Sequence, residues 1–257
     1  MSFILFERQD QVGFITLNRP EKFNAFNREM ALELQQILDE CKSAAYRAVV
    51  ITGSGKAFCS GQDLAEAVDP NGPGMKLILK EHYNPIILRI RALEKPVVAA
   101  VNGVAAGAGA NIALSCDLCI ASQQATFIQA FSKIGLVPDS GGSFFLPRLI
   151  GLQRAAGLMM LGEKISGAEA ASMGMIWKAV EDSELQKVVK ETAVTLAALP
   201  TTALALIKKQ LESSAYSTLA EQLKLEDTLQ QQAAATHDFK EGVAAFLEKR
   251  KANFKGH

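Results

Sequence analysis

The sequence predicts an α/β fold built on parallel strands. Two observations carry that prediction. Short apolar, β-prone runs alternate with stretches of helical periodicity up to about residue 180, the pattern of strands joined by helical crossovers. Beyond Leu199-Pro200 the composition shifts and only helical segments follow, so residues 1–199 read as an α/β core and residues 200–257 as a helical appendage that folds onto its own core or docks on a neighbouring subunit.

Taken in order, Phe3–Gln9 and Val12–Leu17 are β-prone runs separated by Asp10-Gln11, which reads as a hairpin, and Asn18-Arg-Pro20 breaks the second strand. Asn27 is placed to cap a helix running to about Ala44, in which Met30, Leu34, Ile37, Leu38 and Cys41 recur at helical spacing. Ala48–Thr52 is a short continuous apolar strand that ends in Gly53-Ser-Gly55, and Ala57–Ala67 reads as a loop. The Pro/Gly-rich segment Asp69–Gly74 precedes an amphipathic helix from about Met75 to Leu93. Pro96–Val101 is a buried strand, Val104–Ser115 suits one helix of small residues, and Asp117–Ala121 and Ala125–Gln129 are further strands. From Ser140 the pattern is mainly helical, with one apolar strand near Trp177–Val180 and final helices over roughly 201–213, 218–235 and 237–251.

Composition narrows the function classes. The 257 residues carry 27 basic and 27 acidic side chains, so no excess of positive charge points to nucleic acid or to an acidic membrane. A 49% hydrophobic fraction is that of a globular chain. Met1–Gln9 has no basic stretch leading into an apolar one, and no run of 18 uncharged apolar residues occurs, so a soluble cytoplasmic protein is expected. Cys116-Asp-Leu-Cys119 has the spacing of a redox pair or half a zinc site. With no second such pair and three scattered histidines, buried structural cysteines and no metal are expected.

Chemistry concentrates in three segments. Val101–Asn111, VNGVAAGAGAN, has almost no side chain, so a ligand can approach its backbone where a helix begins; close helix packing is the alternative use of such small residues. Lys56–Leu64, KAFCSGQDL, leaves a strand and places Gly61 beside polar residues, either to aim a backbone N–H such as that of Gln62 into a site or as an ordinary turn. Neither segment is a nucleotide loop, since Ile112 stands at the last glycine position of one pattern, and Val50 and Ala57 break the other. The third segment, Gly135–Gly142, holds a lone carboxylate, Asp139, in a Pro/Gly turn among apolar residues, where desolvation raises a carboxyl pKa toward that of a base. Asp139 could instead cap a helix, but Ser140 can fill that role. Backbone donors plus one carboxylate suffice for proton transfer beside a carbonyl.

With KAFCSGQDL, KPVVAAVNGVAAGAGAN, CDLCIA and GLVPDSGG, the chain resembles the crotonase (enoyl-CoA hydratase/isomerase) superfamily, and the resemblance runs from LNRPEKFNA to EGVAAFLEKRKANFK. It implies a spiral of ββα repeats with a C-terminal helical region that builds homotrimers, commonly paired into dimers of trimers. It also implies an acyl-CoA substrate, with coenzyme A as part of that substrate and no other cofactor. The thioester oxygen is expected between the backbone N–H groups of Gln62 and Ala108. Lys22, Ala25, Ser60, Gly61, Asp63, Leu64 and Ala105 match stretches that line the CoA path, and Phe254 and Lys255 match a pair that contacts a neighbouring subunit's CoA. No nucleic-acid or membrane partner is implied.

The departures from the family pattern bear on the reaction. Family hydratases use two glutamates where this chain has Asn111 and Phe131, while Asp139 stands where hydratases usually carry a small residue. That arrangement is similar to family members that isomerise ring-1,2-epoxyphenylacetyl-CoA or shift 3-enoyl double bonds, so an isomerase with Asp139 as base is expected. A hydratase and a silent CoA-binding protein are the competing readings. Phe127, Phe131, Phe144 and Phe145 are expected either to make an aromatic-friendly acyl pocket or to belong to the core.

Overall fold

The computed structural model describes residues 2–257. The hairpin is present as β1 (Ile4–Gln9) and β2 (Val12–Leu17), in register from Ile4 opposite Leu17 to Gln9 opposite Val12. Asn27 caps α1 (Arg28–Glu40) by accepting from Met30 N at 3.0 Å, and Met30, Leu34, Ile37 and Leu38 form its buried stripe. The chain continues through β3 (Ala48–Gly53), β4 (Ala57–Cys59), α2 (Leu64–Val68) and α3 (Gly74–Leu77), then one π-helical turn over Ile78–Tyr83 that leads into α4 (Asn84–Ala92). Next come β5 (Val97–Val101), β6 (Val104–Ala106) and α5 (Ala108–Ser115), followed by β7 (Leu118–Ser122), β8 (Thr126–Ile128), α6 (Gly142–Ile150) and α7 (Leu152–Leu161). Then follow β9 (Lys164–Ser166), α8 (Gly167–Ser172), β10 (Lys178–Val180), α9 (Leu185–Ala198), α10 (Thr201–Ser214), α11 (Leu219–Ala234) and α12 (His237–Leu247).

The strands sort into two sheets, ordered β1-β2-β3-β5-β7-β10 and β4-β6-β8-β9. Three consecutive units begin with β3, β5 and β7. Each gives its first strand to the larger sheet, its second to the smaller one, and then helices. Within both sheets the repeat strands pair in parallel, and each unit lies beside the last, which is a spiral of ββα repeats. Strands β3 and β5 are buried along nearly their whole length, as expected of parallel strands covered on both faces.

The spiral explains where the sequence-based elements needed correction. Val104–Ser115 is not one helix: Val104–Ala106 pairs with β4 and β8, because the smaller sheet supplies partners that local propensity cannot anticipate. The expected loop Ala57–Ala67 likewise contains β4 and α2. Lys164–Ser166 closes the smaller sheet as an antiparallel edge strand within a stretch expected to be mainly helical. Ser140 does not cap α6; Gly141 occupies that position without a side-chain bond.

Cys116 and Cys119 are buried and free, and desolvation pushes the Cys116 thiol up to about 12 and that of Cys119 well above its usual value, so both behave as small apolar residues. Among the described residues no helix is long and apolar enough to cross a membrane. The helices after Pro200 are tied to the core by two buried cations. Arg47 donates to Thr201 Oγ1, Leu199 O and Phe254 O at 2.8, 2.6 and 2.9 Å. Lys208 Nζ reaches Asp117 Oδ2 at 2.9 Å.

Candidate active site

The ends of β4 and β6 lie side by side because those strands pair, and that pairing brings KAFCSGQDL against the small-residue run. Gly61 has φ +95°, and a Cβ there would stand 3.1 Å from Ala106 O and 3.5 Å from Ala108 N. A Cβ on Gly109 would stand 2.2 Å from Cys59 O. Both glycines are needed for close approach of two backbones, so the two readings of the small-residue run, packing and ligand access, turn out to be compatible.

Gln62 is held by a one-residue bridge to Phe26: Phe26 N donates to Gly61 O at 2.7 Å and Asp63 N donates to Phe26 O at 2.8 Å. These bonds use the residues on either side of Gln62. Ala108 is the first residue of α5, where an N–H has no partner within its own helix. Among the described residues neither the Gln62 N–H nor the Ala108 N–H donates to a protein acceptor. Both residues border one cavity of about 420 Å³, and Asp139 borders it too.

Asp139 is fixed through its backbone. Its carbonyl accepts from Asn111 Nδ2 at 2.9 Å and from Gly142 N at 2.8 Å, and Asn111 Oδ1 in turn accepts from Gln129 Nε2 at 2.8 Å. Ser140, buried with φ +50°, donates from Oγ to Asp139 Oδ1 at 2.9 Å. Burial raises the Asp139 carboxyl to about 6, against a smaller opposing effect of the Ser140 bond. A carboxylate near 6 is ionised at neutral pH yet basic enough to accept a proton.

The other carboxylate on the cavity wall, Asp63, is committed elsewhere. It pairs with the Arg19 guanidinium at 3.0 Å and caps α2 by accepting from Ala65 N at 3.2 Å. Arg19 also donates to Ala25 O at 2.6 Å, while the buried Asn24 side chain bridges Arg19 N to Ser54 O and Ala57 O. These two polar side chains fix the Ala25 wall of the cavity.

Of the expected site residues, Ala25, Ser60, Gly61, Gln62, Asp63, Leu64, Ala108 and Asp139 come together around this one cavity. Lys22 is exposed just outside it, where its carbonyl accepts from Ser60 Oγ at 3.3 Å. Ala105 is fully buried within β6, opposite Cys59 and Phe127, and is no part of the wall, because sheet pairing turns it inward. Phe254 and Lys255 lie on the C-terminal tail; Lys255 borders a separate cavity with Arg47 and Lys95. Of the four phenylalanines, only Phe131 borders this cavity. Phe127 belongs to the core, and Phe144 and Phe145 border a groove with Leu204 and Ile207.

Sequence reasoning missed Arg19, Asn24, Gln129 and Tyr83. The one readable signal was Asn111, a lone amide in an otherwise small and apolar helix, since a buried amide must find partners. Tyr83 is fully buried, borders the cavity and donates its hydroxyl to Gln62 Oε1 at 3.0 Å.

A family model described as enoyl-CoA hydratase/isomerase matches residues 7–257. The chain is 45% identical to 1,2-epoxyphenylacetyl-CoA isomerase of Escherichia coli (strain K12), covering 100% of this chain and 99% of that protein. It is 46% identical to a Rhodobacter capsulatus protein named "Probable enoyl-CoA hydratase", with 98% of each covered. The crystal structure of enoyl-CoA hydratase from Bacillus anthracis superimposes with a TM-score of 0.93 at 32% identity, over 100% of both chains. The same two-sheet spiral is thus shared along the full length with proteins named for hydration and for isomerisation, and this chain belongs to the enoyl-CoA hydratase/isomerase family.

Proposed function

We propose that this protein is an acyl-CoA isomerase that acts through an enolate, with Asp139 as the base and the Gln62 and Ala108 N–H groups as oxyanion donors. The supporting observation is the carboxylate inventory of the cavity. Asp63 is neutralised by Arg19, Asn111 is spent on the Asp139 carbonyl and Phe131 is apolar, which leaves Asp139 as the uncommitted carboxylate among the described residues of the wall, beside the Lys133 and Tyr83 side chains. Hydration needs water activated on one side of a double bond and a proton delivered on the other, work suited to two carboxylates. Isomerisation needs one base that takes a proton from C2 and returns it elsewhere.

In a 3-enoyl thioester, the Asp139 carboxylate takes the C2 proton and the electron pair moves onto the thioester oxygen. Two N–H donors aimed at that oxygen stabilise the charge, each worth roughly 3 kcal/mol in the transition state. Asp139, now protonated, returns the proton at C4, and the double bond lies between C2 and C3. Nothing is added or lost. An epoxide on a phenylacetyl ring is opened by the same start, proton removal from C2. A panel of three CoA esters tests the reading: the ring epoxide of phenylacetyl-CoA, a 3-enoyl-CoA and crotonyl-CoA. Turnover of either of the first two with little loss of the crotonyl-CoA enoyl absorbance is expected. Rapid hydration of crotonyl-CoA without isomerisation would establish the second reading, a hydratase, which the name of the Rhodobacter relative favours.

The ionisation of Asp139 sets the pH dependence. The base must be deprotonated, so kcat/KM for isomerisation should fall about tenfold per pH unit below about 6 and level off above it. A profile flat from pH 4.5 to 8 would remove Asp139 from the base role.

An assembly belongs to the same proposal. Leu211, Leu219, Phe246 and Leu247 are 67, 75, 82 and 74% exposed on the C-terminal helices, apolar side chains that a neighbouring copy would cover. Light scattering should therefore give a trimer or hexamer of 27.6 kDa subunits, in which Phe254 and Lys255 would meet a neighbour's ligand. A 27.6 kDa species at micromolar concentration would refute both.

A further inference from the structure

The loop that carries Gln62 is held by more than its own backbone. The Gln62 carboxamide lies between two groups: Nε2 donates to Glu66 Oε2 at 2.7 Å, and Oε1 accepts from the Tyr83 hydroxyl at 3.0 Å. The orientation is chemically unambiguous, since a carboxylate can only accept, which puts Nε2 toward Glu66 and Oε1 toward Tyr83. Glu66 is itself anchored, with Oε1 accepting from Arg28 N at 2.9 Å. Burial raises the Tyr83 phenol well above its ordinary value, so it remains a donor throughout the working pH range.

Tyr83 also reaches the loop from a second side. Its ring packs edge-on against Phe26, with centroids 6.0 Å apart, and Phe26 is the residue whose backbone grips Gly61 and Asp63. One side chain therefore contacts both the side chain of Gln62 and the residue whose backbone holds its neighbours.

The helix geometry serves this placement. Tyr83 ends the π-helical turn over Ile78–Tyr83, and Asn84 N donates to Leu79 O, five residues back. In a regular α-helix residues five apart sit about 140° from one another, whereas winding with i→i+5 bonds brings them close to one face. Ile78 and Tyr83 are both buried and both border the cavity. A π turn is rare beside α-helix and is frequently found at functional sites.

On the reading that Gln62 N–H is an oxyanion donor, we propose that Tyr83 is a positioning residue, whose hydroxyl and Glu66 clamp the Gln62 carboxamide so that the Gln62 backbone N–H stays aimed into the cavity. A buried tyrosine needs a hydrogen-bond partner in any fold. What separates a clamp from mere satisfaction is whether the bond is felt at the thioester oxygen.

Tyr83→Phe keeps the ring and its packing on Phe26 and deletes only the donor. The primary readout is the carbonyl stretch of a bound, unreactive thioester, hexanoyl-CoA labelled with ¹³C at the carbonyl, followed by difference infrared spectroscopy. The wild-type protein should shift the band to lower frequency, and Tyr83→Phe should lose part of that shift while binding hexanoyl-CoA within about twofold of wild type. Gln62→Ala, which retains the backbone N–H but has nothing to clamp, should lose a similar part, and Tyr83→Phe/Gln62→Ala should be no worse than Gln62→Ala alone. In turnover, kcat should fall about tenfold in Tyr83→Phe with KM little changed. An unaltered carbonyl shift in a folded Tyr83→Phe, or losses that add in the double variant, would overturn the clamp even if the protein proves to be an isomerase. A normal wild-type shift that Tyr83→Phe diminishes, in a protein that isomerises none of the three esters, would uphold the clamp and reject the isomerase. A wild-type protein that leaves the carbonyl band unshifted would overturn the clamp with the donor assignment on which it rests.

Discussion

Asp139→Asn should abolish isomerisation while making the protein more stable. The substitution keeps shape and leaves the Asp139 carbonyl free to bind Asn111 and Gly142 as before, but an amide cannot accept the C2 proton. Loss of a positioned general base removes about 10² to 10⁴ in kcat. The stability change follows from linkage. The folded carboxyl titrates near 6 and the unfolded one near 3.8, so the folded state holds the proton more tightly. That preference adds stability at low pH, is lost as pH rises from 3.8 through about 6, and above 6 leaves the ionised side chain as a net penalty. A two-unit shift corresponds to about 3 kcal/mol, and partial solvent contact reduces this to on the order of 2 kcal/mol. Asparagine carries no charge to bury, so urea denaturation at pH 7.5 should show a gain of that size over wild type, shrinking toward pH 4. Activity within tenfold of wild type would eliminate the mechanism. A variant that is inactive and less stable at pH 7.5 would instead mean that Asp139 supports the fold.

Ala108→Pro should cost about 10² to 10³ in kcat, the scale for losing one oxyanion donor. The position makes this an informative substitution, because Ala108 opens α5 and proline is favoured at the first helical position, where its missing N–H was unpaired in any case. The helix should therefore survive the change that removes the donor. Ala108→Ser, which keeps the N–H and adds one polar atom, is the control and should remain far more active than the proline variant. Comparison of circular dichroism and CoA binding separates a lost donor from a collapsed loop. Wild-type kcat in a folded Ala108→Pro would show that the oxyanion is stabilised elsewhere.

These experiments probe features that were unequally visible beforehand. Asp139 stood out because a carboxylate in a Pro/Gly turn among apolar residues has few ordinary uses, and its desolvation follows from those neighbours. Gln62 and Ala108 were accessible through the family resemblance; spacing alone left both loops open to bland readings. Lys22 and Ala105 sit in the matching stretches but outside the cavity. A motif identifies a segment, and the pleat of β6 decides that Ala105 points into the core. Arg19, Asn24 and Tyr83 could not have been selected from the sequence, since each acts on a residue far along the chain: Arg19 on Asp63, Asn24 on Ala57, Tyr83 on Gln62.

By itself the sequence determined the fold class, the family, the segments that meet at the cavity and the lone acid that distinguishes this chain, because hydrophobic period, turn residues and motif composition are local properties. Only the tertiary structure decided that Val104–Ala106 is a strand, that Asp63 is neutralised while Asp139 is not, that Asn111 serves as a strut and that a π turn carries Tyr83 to Gln62. Those outcomes depend on which backbone donors and charges lie within about 3 Å of one another after folding, and hydrogen bonds and ion pairs at that range are set by partners remote in the chain.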